Sequence, residues 1–337
     1  MSEAEERHKK YDIKADPRPL HVWLWVIFLL KSLINIHKGI ELLRRIGSMM
    51  MIVLVNVLGV DAMRINFGKY EVPPTLQKII DLQHDLGDPE QFYFGFNFYL
   101  SLEKFRYFNT PSDVVVFGNI GVDGIHYGFL TDYGSVSDLE VAPIICVNPI
   151  DFDRPIRIVA NNLREFLRVN MTDSELFYNQ FESEENYLLA KEQWREEANN
   201  SPYQPTEKEN FSRKRICNYL IDDLKIPRID NPYRYVQTVK REREKNIIIQ
   251  TQDGLGVTNP LLLGEKHIHF PIKETYLDLE LLQEYLSSKP IASRLAIFRD
   301  LQINYSWQDY PELFDIVIKA MIDIKCIDEA KRLTEDI

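Results

Sequence analysis

Apolar positions along the 337-residue chain fall into three textures. Near the start, two unbroken runs, Leu20 to Leu30 and Met49 to Val60, lack any alternation, and each is shorter than the roughly 20 residues that span a bilayer. From about Met63 the pattern becomes periodic. Pro73-Pro74-Thr75 opens a predicted helix, and Leu76, Ile79, Ile80, Leu82 and Leu86 recur on it until Gly87 ends it. The aromatic-dense stretch from Gln91 to Phe105 reads as core or groove packing, because residues 91–102 hold no Lys or Arg to make a base-stacking platform.

Residues 113–134 read as strand, turn, strand. The β-branched run Val114 to Phe117 leads through Gly118-Asn119 and Gly121, which permit tight or left-handed backbone, to the hairpin signal Asp123-Gly124. Beyond it Ile125, Tyr127 and Phe129 alternate with His126, Gly128 and Leu130. Strands follow at Pro143 to Val147 and Pro155 to Val159, and Asn161 and Asn162 are placed to cap a helix whose Leu163, Phe166 and Leu167 share a face. The third texture, from Lys273 on, is amphipathic helix, with Pro290 and Pro311 near helix starts. The expected organisation is an N-terminal extension over 1–62, an α+β domain with a central, largely antiparallel sheet over 63–270, and a helical C-terminal cap over 271–337.

Charge is unevenly spread. The net charge is −11, yet residues 1–48 carry nine Lys and Arg against six Asp and Glu, a net of +3 that leaves −14 on the remainder. An acidic chain of this kind is a poor nucleic-acid binder and a better partner for a basic protein. In the head, Trp23, Trp25 and the flanking cations suit a membrane interface, so association through residues 20–60 stands beside two alternatives, a helix packed on the body and an upstream extension. Acids mixed into the leader before Leu20 argue against a secretory signal. Three widely separated cysteines, Cys146, Cys217 and Cys326, make neither a disulfide framework nor a metal knuckle, and point to the cytoplasm.

The order of Gly118 to Leu130, then Ala142-Pro143-Ile144-Ile145, then Val159 to Leu167 resembles the SUKH superfamily. That superfamily includes fungal regulators of glucan synthesis and cell-wall assembly, and bacterial immunity proteins that neutralise polymorphic toxins. The resemblance covers about residues 73–170, and Thr251-Gln252-Asp253-Gly254-Leu255-Gly256-Val257 is similar to a second recurrent segment of bacterial members. It implies an α+β binding module without catalysis or cofactor. Gly121, Gly124 and Gly128 would then serve backbone geometry, Asp123 would cap the turn, and His126 would belong to the same structural motif.

Enzymatic readings lack their parts. His126 with Asp123 and Asp132 can be drawn as a cluster, but with a single imidazole; Lys266-His267-Ile268-His269 offers two imidazoles and no third ligand nearby. No GxSxG elbow, phosphate-cradling GxxxxGK[ST] or HExxH occurs. Residues 171–200 instead hold eight acids against Lys191 and Arg195, a local net of −6, with scattered aromatics. A solvated helix is the plain interpretation. The sharper one is a partner surface built from Glu182, Glu184, Glu185, Trp194, Glu196 and Glu197, whose carboxylates would steer a basic toxin domain. Arg213-Lys214-Arg215 is a short basic patch that does not look like a phosphate-tracking surface. The expected function is a non-catalytic immunity protein, with a scaffold role in cell-wall assembly and an unrecognised enzyme as alternatives.

Overall fold

Strands β1 (Tyr99–Leu100), β2 (Val114–Asn119), β3 (His126–Leu130), β4 (Ile144–Val147) and β5 (Ile156–Ala160) form an antiparallel meander in the order β1-β2-β3-β4-β5. The computed structural model describes residues 63–103, 105–272 and 277–334, all inside the unit Gly59–Ile337. The three readings of the head fall on residues outside these. Among the described residues, no helix is long and apolar enough to cross a membrane.

The sheet is buried on both faces, which is why its strands read as nearly continuous apolar runs. Val115, Phe117, Tyr127, Phe129, Ile144 and Cys146 enter the larger core, while Val114, Val116, Leu130, Ile145, Val147 and Ile156 enter a smaller one on the opposite face. Gly118 and Asn119, which the sequence allows as turn residues, stay inside β2. The register slips between Val116 and Gly118, and a Cβ at Gly118 would lie 2.7 Å from the Phe98 ring, so the glycine serves a close approach at a bulge.

Helices close the larger core. Helix α1 (Pro74–Leu86) ends at Gly87 in left-handed conformation, and α2 (Pro89–Phe96) is capped by the Asp88 side chain. Phe92, Phe96 and Phe98 meet ring to ring, and Phe98 reaches Phe117, Tyr127 and Phe166, so the aromatic stretch is core. Helix α3 (Leu163–Asp173) starts where Asn162 accepts the Glu165 amide at 3.0 Å. Then come α4 (Glu184–Asn200), α5 (Glu207–Asn218), a π-helical turn (Tyr219–Asp223) and α6 (Pro232–Asn246). Helices α7 (Leu279–Ser288), α8 (Ile291–Asn304), α9 (Pro311–Asp323) and α10 (Ile327–Thr334) share a further core with Ile249, Val257 and Phe270. The fold is α+β with a helical C-terminal cap.

Buried arginines tie the helices to the sheet and its loops. Arg299 of α8 donates to Asp113 at 2.6 Å and to Asp253 at 3.0 Å, with its guanidinium 5.1 Å from the Tyr133 ring centre. Arg243 of α6 grips Asp132 with two bonds of 2.7 Å and also donates to the Leu255 carbonyl. Arg332 of α10 donates to the carbonyls of Asn66 and Ser112. Within the loop at 251–257, the Asp253 carboxylate also accepts from Thr251 and the Leu255 amide, and Leu255 plugs the smaller core. Burial is the largest influence on Asp113, pushing its carboxyl up to about 6 against the pull of Arg299.

Candidate functional site

The hairpin between β2 and β3 is built for backbone geometry. Asp123 and Gly124 occupy its two central positions at φ +56° and +67°, and the Ile125 amide returns to the Val122 carbonyl at 3.2 Å. The side chain that braces this loop is Asn119, whose Oδ1 accepts from the Gly121 amide at 2.9 Å. Asp123 contributes through its left-handed backbone and makes no side-chain hydrogen bond among the described residues. Gly128 packs against β2, where a Cβ would meet Val114 at 2.3 Å.

His126 is fully buried and both ring nitrogens are occupied. A carbonyl can only accept, so the 2.7 Å contact to the Gly124 oxygen places the proton on Nδ1. Nε2 then accepts from Thr110 at 2.9 Å, and Thr110 Oγ1 accepts from the Tyr107 amide at 2.8 Å. The Tyr107 ring stacks on the imidazole and Phe105 meets its edge. Desolvation holds the imidazole down at about 4. The ring ties the 105–110 loop to the hairpin and has no lone pair or proton left for a substrate. Asp132, the other carboxylate drawn with it from sequence, is committed to Arg243.

His267 and His269 lie outside any strand or helix, and His267 Nδ1 meets the Ser293 hydroxyl at 3.0 Å. Burial and the neighbouring His269 lower the His267 pKa. Among the described residues, no group of three or more His, Cys, Asp or Glu is placed to hold a metal.

Helix α4 makes up the second half of the acidic segment and carries five of its eight acids, and only Tyr187 of the helix is buried. Ser183 caps it by accepting the Asn186 amide, and Glu184 and Glu185 occupy its first turn, where negative charge suits the helix dipole. Its inner side is held by Tyr187, which donates to Asp173 at 2.6 Å and stacks on Tyr233, and by Lys191, 3.0 Å from Asp173. Trp194 is half-buried on that side, with its ring 5.9 Å from Phe181. Glu184 accepts from Asn231 at 2.6 Å and from Arg234 at 2.9 Å, and those bonds hold its carboxyl below the usual range. Glu182, Glu185, Glu196 and Glu197 are exposed.

Sequence reading passed over the apolar part of this surface. Leu188 and Leu189 are 55% and 58% exposed. At helical spacing they share a stripe with Glu185, Glu192 and Glu196, one or two turns away. The signal was present as two leucines on the wrong side of an otherwise acidic helix. A cleft of about 460 Å³ opens nearby along β5, the sheet's outer strand, between Arg154, Arg157 and the Val236 and Lys240 side of α6. Phe181 lines it and connects it to Trp194. Arg157 pairs with Asp151 through Nη2, and its buried Nε and Nη1 have no partner among the described residues.

No protein-family model matches the chain, and no curated protein matches it.

Proposed function

We propose that the chain is a non-catalytic protein-binding module of SUKH type, acting in the cytoplasm as an immunity protein that occludes a basic toxin domain. The observation that carries this reading is the outer stripe of α4. There an exposed leucine pair sits among Glu185, Glu192 and Glu196, with Glu182 and Glu197 close by in sequence. Exposed carboxylates raise the encounter rate with a cationic partner, and a small apolar centre supplies the desolvated contact that slows dissociation. The helix is fixed from its inner side by Tyr187, Lys191 and Glu184, so the stripe is presented on a positioned element. The SUKH-like residue order supports the same class. The commitment of His126 and Asp132 to internal bonds removes the most plausible acid–base pair.

Co-expression with the product of an adjacent toxin-like gene tests the proposal. The expected result is a stoichiometric complex that dissociates as salt is raised and is lost on Leu188→Ser/Leu189→Ser. A complex unaffected by those changes and by Glu185→Lys/Glu196→Lys would place the interface elsewhere and sink the assignment to α4.

A further inference from the structure

A second cavity, of about 680 Å³, lies where α2, α3 and α5 converge, away from the residues assigned above. Its lining contrasts with the rest of this acidic chain. Arg213, Lys214 and Arg228 contribute three cations, and no Asp or Glu is among the described residues that line it. The basic run at 213–215 is therefore split by the fold: its first two members, joined by Arg228 from beyond the π-helical turn, surround a cavity.

The cations have capacity to spare. Arg213 uses Nε on the Phe94 carbonyl at 3.2 Å, and its two terminal nitrogens make no hydrogen bond among the described residues. Lys214 makes no hydrogen bond or ion pair among them. Arg228 donates one Nη2 bond to the Cys217 sulfur at 2.9 Å, which orients its planar fork. Glu209, one turn before Arg213 on α5, hydrogen-bonds the Thr206 amide in the capping box, and neither it nor Asp230 lines the cavity.

One further group points to a ligand. Asn170 of α3 lines the cavity and is 3% exposed, and its Oδ1 has no hydrogen-bond partner among the described residues. Its amide orientation is determined, because Nδ2 donates to the Phe96 carbonyl and only the nitrogen can do so. A buried, unpartnered acceptor requires a donor. An anion without a proton satisfies the cations and leaves Asn170 unmet, whereas a phosphate ester of a hydroxylated molecule carries both the anion and, at a distance from it, a hydroxyl donor.

We propose that this cavity binds a phosphate ester bearing hydroxyl groups, of sugar-phosphate or nucleotide type, with Arg213, Lys214 and Arg228 on the phosphate and Asn170 accepting from a ligand hydroxyl. The volume lies in the range of small-molecule sites. Such a ligand brackets α5 against α2 and α3 and stabilises the folded chain in proportion to its occupancy.

The test is calorimetric titration of the full chain with ribose 5-phosphate, ATP, inorganic phosphate and ribose. At least one of the two esters is expected to bind one to one, more tightly than inorganic phosphate, with affinity falling as salt is raised; ribose alone is expected to show no binding. Arg213→Gln and Arg228→Gln, both at exposed positions, are each expected to weaken the ester about tenfold or more with an unchanged melting temperature of the free protein. The response of the two esters distinguishes a sugar-phosphate from a nucleotide site. Failure of both esters to saturate, equal affinity in the double Gln variant, or binding of a hexaglutamate peptide where both esters fail would each overturn the proposal. None of these outcomes bears on α4.

Discussion

Burial removes His126 from its usual titration range and gives it a measurable signature. Its unfolded value is 6.5 and its folded value about 4, so between those limits the unfolded chain binds a proton that the folded chain does not. Its contribution is present above pH 6.5 and is lost as pH falls toward 4, by about 3 kcal/mol in all. Asp113 acts in the opposite sense: raised from 3.8 to about 6, it favours the folded state most below 3.8 and loses that contribution as pH rises through 6. The stability difference between wild type and His126→Asn isolates the histidine. It is expected to shrink by about 3 kcal/mol between pH 6.5 and 4 in urea titrations followed by circular dichroism. A constant difference would show that His126 takes up its proton in the fold as readily as in the unfolded chain. Two glycines separate strain from space in the same assay. Gly87 and Gly124 have nearly equal positive φ, but a Cβ at Gly87 meets nothing within 4 Å, whereas one at Gly124 falls 2.4 Å from the Tyr107 ring. Gly87→Ala should cost about 1 kcal/mol for the left-handed backbone, and Gly124→Ala clearly more, because the ring stacked on His126 must move.

At the scale of elements, the sequence was most readable where one local rule decides. Gly87 ends α1, Asn162 caps α3, and Asp123-Gly124 makes the hairpin, all through bonds within a few residues. What holds the elements together was not readable. Asp113, Asp132, Arg243, Asp253 and Arg299 each look like surface charges in sequence, and only the fold brings them into one buried set spanning up to 186 residues. The two blocks that resemble the SUKH pattern meet there, because Arg299 bridges Asp113 beside the first to Asp253 in the second. Removing Arg299 leaves two buried carboxylates without their shared counter-ion. Arg299→Met is therefore expected to destabilise by about 3–5 kcal/mol, with amide protection lost first in α8 to α10. A loss under about 1 kcal/mol would mean that the helical cap is held by its apolar core alone. Helix α4 shows a different limit. Its acidity was plain in the sequence, but which face it turns outward depended on Tyr187 and Trp194 packing inward.

Over the whole molecule, the net charge of −11 resolves into regions with different roles. Acids in the central loops pair with buried arginines, the cavity at Arg213 and Arg228 is locally cationic, and on α4 Glu192 pairs with Arg195 while the exposed Glu185, Glu196 and Glu197 make no ion pair among the described residues. On the proposed function, a partner that docks there would be steered by charge and retained by Leu188 and Leu189. The most direct measurement is the association rate constant of the co-purified basic partner, taken over a salt series for wild type and Glu185→Lys/Glu196→Lys. The account predicts that the wild-type rate falls steeply with salt, and that charge reversal lowers it about tenfold or more at low salt and flattens the dependence. Equal rates for both proteins, with no response to salt, would contradict it.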